Sequence, residues 1–227
     1  MSSEIKADKW SPASGTSATI GDSGDTYTIP SGVNFTNNGT ATGFGDPTLT
    51  SVQVFTSSGT YTRPTGVTKA MVYVTGAGGG GSGSGSRASG GGGGTAIKWV
   101  STGLGATESV TIGTGGAGSS SGNGSAGGTS SFGSHCSATG GAGGVVSGDP
   151  VGGAGGVGSS GDVNLTGGGG GANQLATAGA DSFWSGGGRG DDSNSGNGNG
   201  SNGGGGGVEV GNGGDGGNGL CWVLEYK

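Results

Sequence analysis

Gly140-Gly-Ala-Gly-Gly-Val145 recurs residue for residue at 152–157, and Gly-Gly-Asp-Gly-Gly-Asn follows at 213–218. A glycine-rich period of three is that of the polyproline-II helix, with about three residues per turn and a rise near 3.1 Å. Such a helix makes no internal hydrogen bonds, so its backbone groups must pair with water or with neighbours. Glycine lacks a Cβ, so several such helices can approach closely and pair on more than one side, with weak Cα–H···O contacts added. The triplets therefore predict polyglycine-II segments packed side by side within 115–219. Ordering glycine is entropically costly, so a platform of strands is expected to nucleate the bundle.

Composition agrees. Glycine makes up 67 of 227 residues, against five prolines. Each glycine costs a helix about 1 kcal/mol relative to alanine, which argues against a conventional helical or α/β enzyme domain. Collagen needs glycine at every third position throughout and abundant proline. The formal net charge is −6, with eight Lys plus Arg scattered singly, unlike a surface that tracks phosphates, so no nucleic-acid partner is expected. Simple disorder also fits poorly. Only 10% of residues are charged, and four Trp, four Tyr and five Phe sit at definite places. No run approaches the ~20 apolar residues of a membrane span, and no signal peptide opens the sequence. Cys136 and Cys221 permit at most one disulfide, and buried free thiols are the expectation.

Outward from the triplets, the chain reads as short strands. Thr26–Val33, Thr-Tyr-Thr-Ile-Pro-Ser-Gly-Val, has a near copy at 60–67, each a strand closed by a Pro-x-Gly turn. Gly43 to Thr50 reads as a linker. Val52, Val54 and Phe55 form one strand. Lys69 to Thr75 forms another, apolar on both faces as in a buried central strand. Gly76 to Gly94 reads as a Gly/Ser loop, and Ile97–Val100 with Val110–Ile112 as a hairpin. Leu220 to Tyr226 is a terminal strand. It is expected in one sheet with 70–75, since both are apolar on both faces and bracket the glycine region.

Glycine abundance makes glycine motifs cheap. Gly118-Ser-Ser-Ser-Gly122 spells a nucleophile elbow without its strand-to-helix context, and His135 is the only histidine to serve as its base. Gly-x-Gly-x-x-Gly matches lack a βαβ unit. Gly187–Asp192 begins like a calcium-binding nonapeptide, but Asn194 replaces the apolar residue and there is no tandem copy. Two cysteines and one histidine support no zinc site. No cofactor, metal or catalytic residue is expected. More informative is the clustering of Phe183, Trp184, Arg189, Asp191 and Asp192 between glycine runs. Large aromatics beside flexible polar groups suit a binding surface. The competing role for Phe183 and Trp184 is to cap the end of the glycine bundle.

The ordered motifs resemble a known family. VFTSSGTYTRPTGVTKAMVYVTGAGGGG (54–81), TAIKW…SVTIGTGGAG (95–118), GGTSSFG (127–133), SATGGAGG (137–144), GDVNLTGGGGG (161–171), SGGGRG (185–190) and GGDGGNGLCWVLEY (213–226) are similar, in that order, to the glycine-rich domain of bacteriophage tail fibres. ATIGDSGDTYTIPSGVNFTNNGTATGFG (18–45) separately resembles short repeats of phage tail-fibre proteins. In related adhesins of T-even-like phages, a polyglycine-II bundle forms the fibre tip, and variable loops between its glycine motifs contact host outer-membrane proteins. The resemblance implies that 145–151, 159–166, 173–185, 191–202 and 208–210 are such loops here. The N-terminus lacks the attachment pattern of those adhesins.

The resulting expectation is a mostly β and irregular fold: a short strand platform plus a polyglycine-II bundle, almost without α-helix. Residues 1–50 would attach or oligomerise, and 52–227 would recognise a receptor. The expected receptor-binding residues are Phe183, Trp184, Arg189, Asp191, Asp192, Asn173, Gln174, Asp149, Val163 and Glu209. The partner would be a bacterial outer-membrane protein or surface polysaccharide, together with other tail proteins. The chain would be a homotrimer or seated on a trimeric fibre, within a virion assembled in the host cytoplasm. A purely structural virion or surface protein and an ice-binding polyglycine-II protein are the alternatives.

Overall fold

The computed structural model describes residues 48–83, 87–146, 149–172, 177–190, 198–209 and 211–227. All belong to one compact unit, Asp46–Lys227. The repeat at 26–33 and nearly all of the expected 1–50 region lie outside the described residues.

Twelve strands form, with no α-helix among the described residues. They are β1 (Leu49–Phe55), β2 (Gly59–Thr62), β3 (Lys69–Thr75), β4 (Thr95–Val100), β5 (Thr107–Thr111), β6 (Ser130–Phe132), β7 (Cys136–Ala138), β8 (Gly158–Ser159), β9 (Val163–Leu165), β10 (Val208–Glu209), β11 (Asn212–Gly213) and β12 (Leu220–Tyr226). One antiparallel sheet runs β1-β12-β3-β4-β9, a second β2-β5-β6-β7-β8, and β10 pairs with β11. The expected pairing of the terminal strand with 70–75 is found, Leu220 opposite Thr75 and Tyr226 opposite Lys69. The expected hairpin between β4 and β5 is not. β4 pairs with β3 and β9, whereas β5 pairs with β2 and β6 in the other sheet. Positive φ at Gly103 (77°) turns the chain between the two layers. Leu49 and Thr50, placed by the sequence in a linker, begin β1.

The apolar core lies between the two five-stranded sheets. Ala70, Val72, Val74, Ala96, Val100, Cys221 and Val223 meet Tyr61, Val110, Phe132, Cys136 and Ala138. The Tyr61 and Phe132 rings meet edge-on, 5.2 Å between centroids, a favoured aromatic geometry. Both cysteines are unpaired and buried. Burial pushes the Cys136 thiol up to about 12 and raises Cys221 as well, so both are inert packing groups. Glu225 is fully buried on the same side. Its carboxylate accepts from Ser51 Oγ and, at 2.9 Å, from Gln53 Nε2. Burial first, and Glu225 second, raise the Tyr61 phenol above its ordinary range.

The segment read from sequence as a loop, Gly76 to Gly94, is the centre of the glycine bundle. Its described residues other than Arg87 are buried, and their hydrogen bonds repeat every third residue. Gly76, Gly79 and Ser82 donate to Gly94, Gly91 and Ala88; Ala77, Gly80 and Gly83 to Gly128, Ser125 and Gly122; Gly78 and Gly81 to Gly217 and Gly214, all at 2.8–3.1 Å. The same segment accepts from Gly141 and Gly144, from Gly116 and Ser119, and from Gly206. Three directions of donation per three residues are those of a threefold polyglycine-II helix. Segment 88–94 behaves alike, donating in turn to 167–171, 203–207 and 139–144. A side chain has no room here: a Cβ on Gly79 would lie 2.0 Å from the Ala142 carbonyl oxygen, and one on Gly91 2.1 Å from that of Ala154.

The helices continue the strands in register. Thr75 pairs with Thr95 in the β3–β4 ladder, and Gly76/Gly94, Gly79/Gly91 and Ser82/Ala88 follow in step. β12 against β3, β5 against β6, and β7 against β8 do the same through Gly217/Gly78, Gly128/Thr114 and Ala142/Ala154. Rises of about 3.1 Å in the helix and 3.3 Å in the strand make this possible.

Candidate recognition surface

In an outer polyglycine-II helix, one residue in three faces solvent. Along 151–157, Val151, Ala154 and Val157 are exposed while Gly153 and Gly156 are buried. Along 212–218 the exposed positions are Asn212, Asp215 and Asn218. Here the side chains replace missing neighbours. Asp215 Oδ1 accepts from the Gly118 N–H at 2.7 Å and Asn218 Oδ1 from that of Gly115 at 2.9 Å. The third residue of each Gly-Gly-x triplet thus supplies the surface chemistry of the bundle.

The valine positions make that surface apolar on one flank. Val145, Val151, Val157 and Val163 are 36–59% exposed, and Val145 bridges Val151 across a short turn holding exposed Asp149. Val163 sits on β9 at the sheet edge, opposite Ile97. Next to it, Lys98 Nζ and the Trp99 N–H both donate to Asp162, each at 2.8 Å, and hold its carboxyl below the usual range.

Phe183 is the largest exposed apolar side chain among the described residues, at 49%. Two concavities share it. One, of about 290 Å³, is lined by Thr95, Leu165, Thr166, Asp181, Ser182 and neighbouring glycines. The other, of about 250 Å³, is lined by Tyr73, Trp184, Trp222 and Leu224. Ser182 fixes the turn: its hydroxyl accepts from the backbone N–H groups of Trp184 and Ser185 at 3.3 and 3.2 Å and donates to the Asn202 carbonyl at 2.7 Å. Asp181 Oδ1 accepts from Gly187 N–H at 3.0 Å. Trp184 is half-buried, its ring 4.9 Å from Trp222, 5.6 Å from Tyr73 and 4.9 Å from Phe183. Phe183 stacks over Tyr73 at 6.3 Å.

Of the expected site residues, the structure brings Phe183 and Trp184 together. Arg189 is exposed in segment 186–190, whose Gly188 bonds to Gly179 and Gly205. Asp149 lies in the turn between Val145 and Val151, Val163 on β9 at the far edge of the sheet that carries Tyr73 and Trp222, and Glu209 belongs to β10. Asn173, Gln174, Asp191 and Asp192 lie outside the described residues. Sequence reasoning missed Tyr73, Trp222 and Leu224, because strands apolar on both faces were read as buried on both. It also missed Val157, although its place in the triplet marks it as outward. The remaining motif residues have local roles. Ser119 Oγ accepts from the Gly122 N–H at 2.9 Å, and His135 Nε2 lies 3.1 Å from Glu108 Oε1.

A strand sandwich running into a glycine lattice, with this order of motifs, decides the family. The chain belongs to the glycine-rich domain family. Its family profile matches residues 50–226, from the second residue of β1 to the last residue of β12. No curated protein matches the chain. The glycine-rich domain therefore comprises both sheets and the whole bundle.

Proposed function

We propose that this glycine-rich domain is the receptor-recognition part of a phage tail-fibre or tail-tip protein, without catalytic activity. In this reading it works in the virion as a homotrimer or seated on a trimeric fibre among other tail proteins. The observation that supports it most is the placement of exposed apolar residues. Val145, Val151, Val157, Val163 and Phe183 all stand where glycine segments give way to other residues, held on a backbone lattice that cannot easily deform. Such a base spares the binding surface an ordering cost on association. The motif order of the tail-fibre resemblance points the same way. The partner is an outer-membrane protein or a surface polysaccharide.

Attachment of the purified full chain to candidate host cells tests this. Phe183→Ala is expected to weaken attachment at least about tenfold, equivalent to ~1.4 kcal/mol, with an unchanged melting temperature. Trp184→Ala is expected to weaken attachment and also to lower the melting temperature, because Trp184 packs on Trp222 and Tyr73. Absence of attachment to every host tried, or attachment indifferent to Phe183, would overturn the proposal.

A further inference from the structure

The outer face of the β1-β12-β3-β4-β9 sheet carries two apolar rungs. Val54, Trp222, Tyr73, Ile97 and Val163 lie side by side across all five strands, and Val52, Leu224, Met71 and Trp99 across four. Tyr226 adds its ring 5.2 Å from that of Trp99. Phe183 and Trp184 cover the end nearest the glycine bundle. At the β1 end the face is open: Leu49, Val52 and Val54 are 45–52% exposed. β1 is also an edge, pairing with β12 alone among the described strands. Its sequence, Leu-Thr-Ser-Val-Gln-Val-Phe, holds no charged residue and no Pro to guard the edge against association, and beyond the register shift between Leu49 and Ser51 its pairing with β12 is regular through Phe55.

We propose that this β1 end of the outer face is the surface through which copies of the chain associate. The proposal rests on the sheet itself and stands independently of the receptor reading. Two observations select a second copy as the occupant. The chain carries a net charge of −6, which opposes self-association elsewhere, yet the only acidic residue of these five strands, Glu225, points inward and is fully buried. Two such faces therefore meet without carboxylate repulsion. Secondly, the chain enters the domain at Leu49, on the rim of this face, with 48 residues before it. Copies that enter side by side meet along β1.

Light scattering on the full chain is expected to give a multiple of the 20.8 kDa chain mass at about 10 μM. The double variant Val52→Lys/Val54→Lys should shift the association midpoint at least about tenfold toward higher concentration. Both side chains already face solvent, so the strand pairing should survive, checked by circular dichroism. Ser120→Lys, exposed on the glycine bundle, should leave the midpoint in place. A second readout needs no variant. Trp222 stands opposite Val54 on the strand next to β1, so acrylamide quenching of the wild type should rise on dilution as copies separate. A single-chain mass at 100 μM, a folded double variant that stays assembled, or quenching that does not follow the mass would each overturn the proposal.

Discussion

The sandwich half and the glycine half of this molecule are built on the same paired segments, and differ in what separates them. In the sandwich, Val72, Val74 and Val223 on one sheet face Tyr61, Val110 and Phe132 on the other, and side chains keep packed sheets about 10 Å apart. Past Thr75 and Ile112 the buried positions are glycine, alanine or serine. Segment 76–83, continuing the first sheet, then bonds directly to segment 122–128 of the second, with Ala77 donating to Gly128 at 3.1 Å. Removing the side chains lets the layers collapse until backbones share hydrogen bonds. The hydrophobic effect holds one half, and satisfied backbone donors and acceptors hold the other. The strand ladders set the register that the helices inherit, which lowers the entropy cost of ordering glycine.

The largest expected effect breaks the lattice side of this comparison. Gly91→Ala puts a methyl group 2.1 Å from the Ala154 carbonyl oxygen, between two backbones that cannot yield. It should cost about 4 kcal/mol or more, the far end of the range for single substitutions, read by thermal or denaturant unfolding. The same change at Gly169, whose Cβ would meet nothing nearer than 4.0 Å, should be neutral or stabilise by about 0.4–1 kcal/mol. Equal effects at the two positions would show that the packing is looser than the lattice requires.

Next comes the sandwich side. Phe132→Ala empties a fully buried ring site against Tyr61 and should cost about 3–5 kcal/mol. Because the helices take their register from the strands, the lattice should unfold in the same transition. Two separated transitions in calorimetry would show halves that fold independently. The smallest effect sharpens the boundary between lattice and solvent. Asp215→Ala removes the acceptor of the Gly118 N–H but leaves that N–H within reach of water, so a loss of about 1 kcal/mol or less is expected.

The strands were legible in the sequence wherever apolar residues cluster. Lys69–Thr75 and Leu220–Tyr226 were bounded correctly, because Met71–Val74 and Trp222–Leu224 are unmistakable runs. The triplets at 140–145, 152–157 and 213–218 announced polyglycine-II. What the sequence hid is the central pair of helices. An outer helix must show a non-glycine residue every third position to face solvent, which creates the visible period. A helix enclosed on every side has no such position, so 76–83 and 88–94 show no period and resemble a loop. For the candidate site, Phe183 and Trp184 stood out as aromatics between glycine runs. Their neighbours Tyr73 and Trp222 did not, since an apolar residue on a strand looks the same whether its face is covered or open. The β4–β5 pairing was misread because adjacency in sequence favours a hairpin, while the glycine bundle lets consecutive strands part into different layers.

Amide hydrogen exchange across 76–83 and 88–94 tests the central claim most directly. Each of these residues whose N–H is bonded to a lattice neighbour is buried, and a buried, bonded amide exchanges only through opening. The account predicts that Gly78–Gly81 and Gly90–Gly93 are protected as strongly as Val72 and Val223 in the sandwich core. Exchange of these glycines at the rate of a solvated Gly/Ser loop, with the strands still protected, would contradict it.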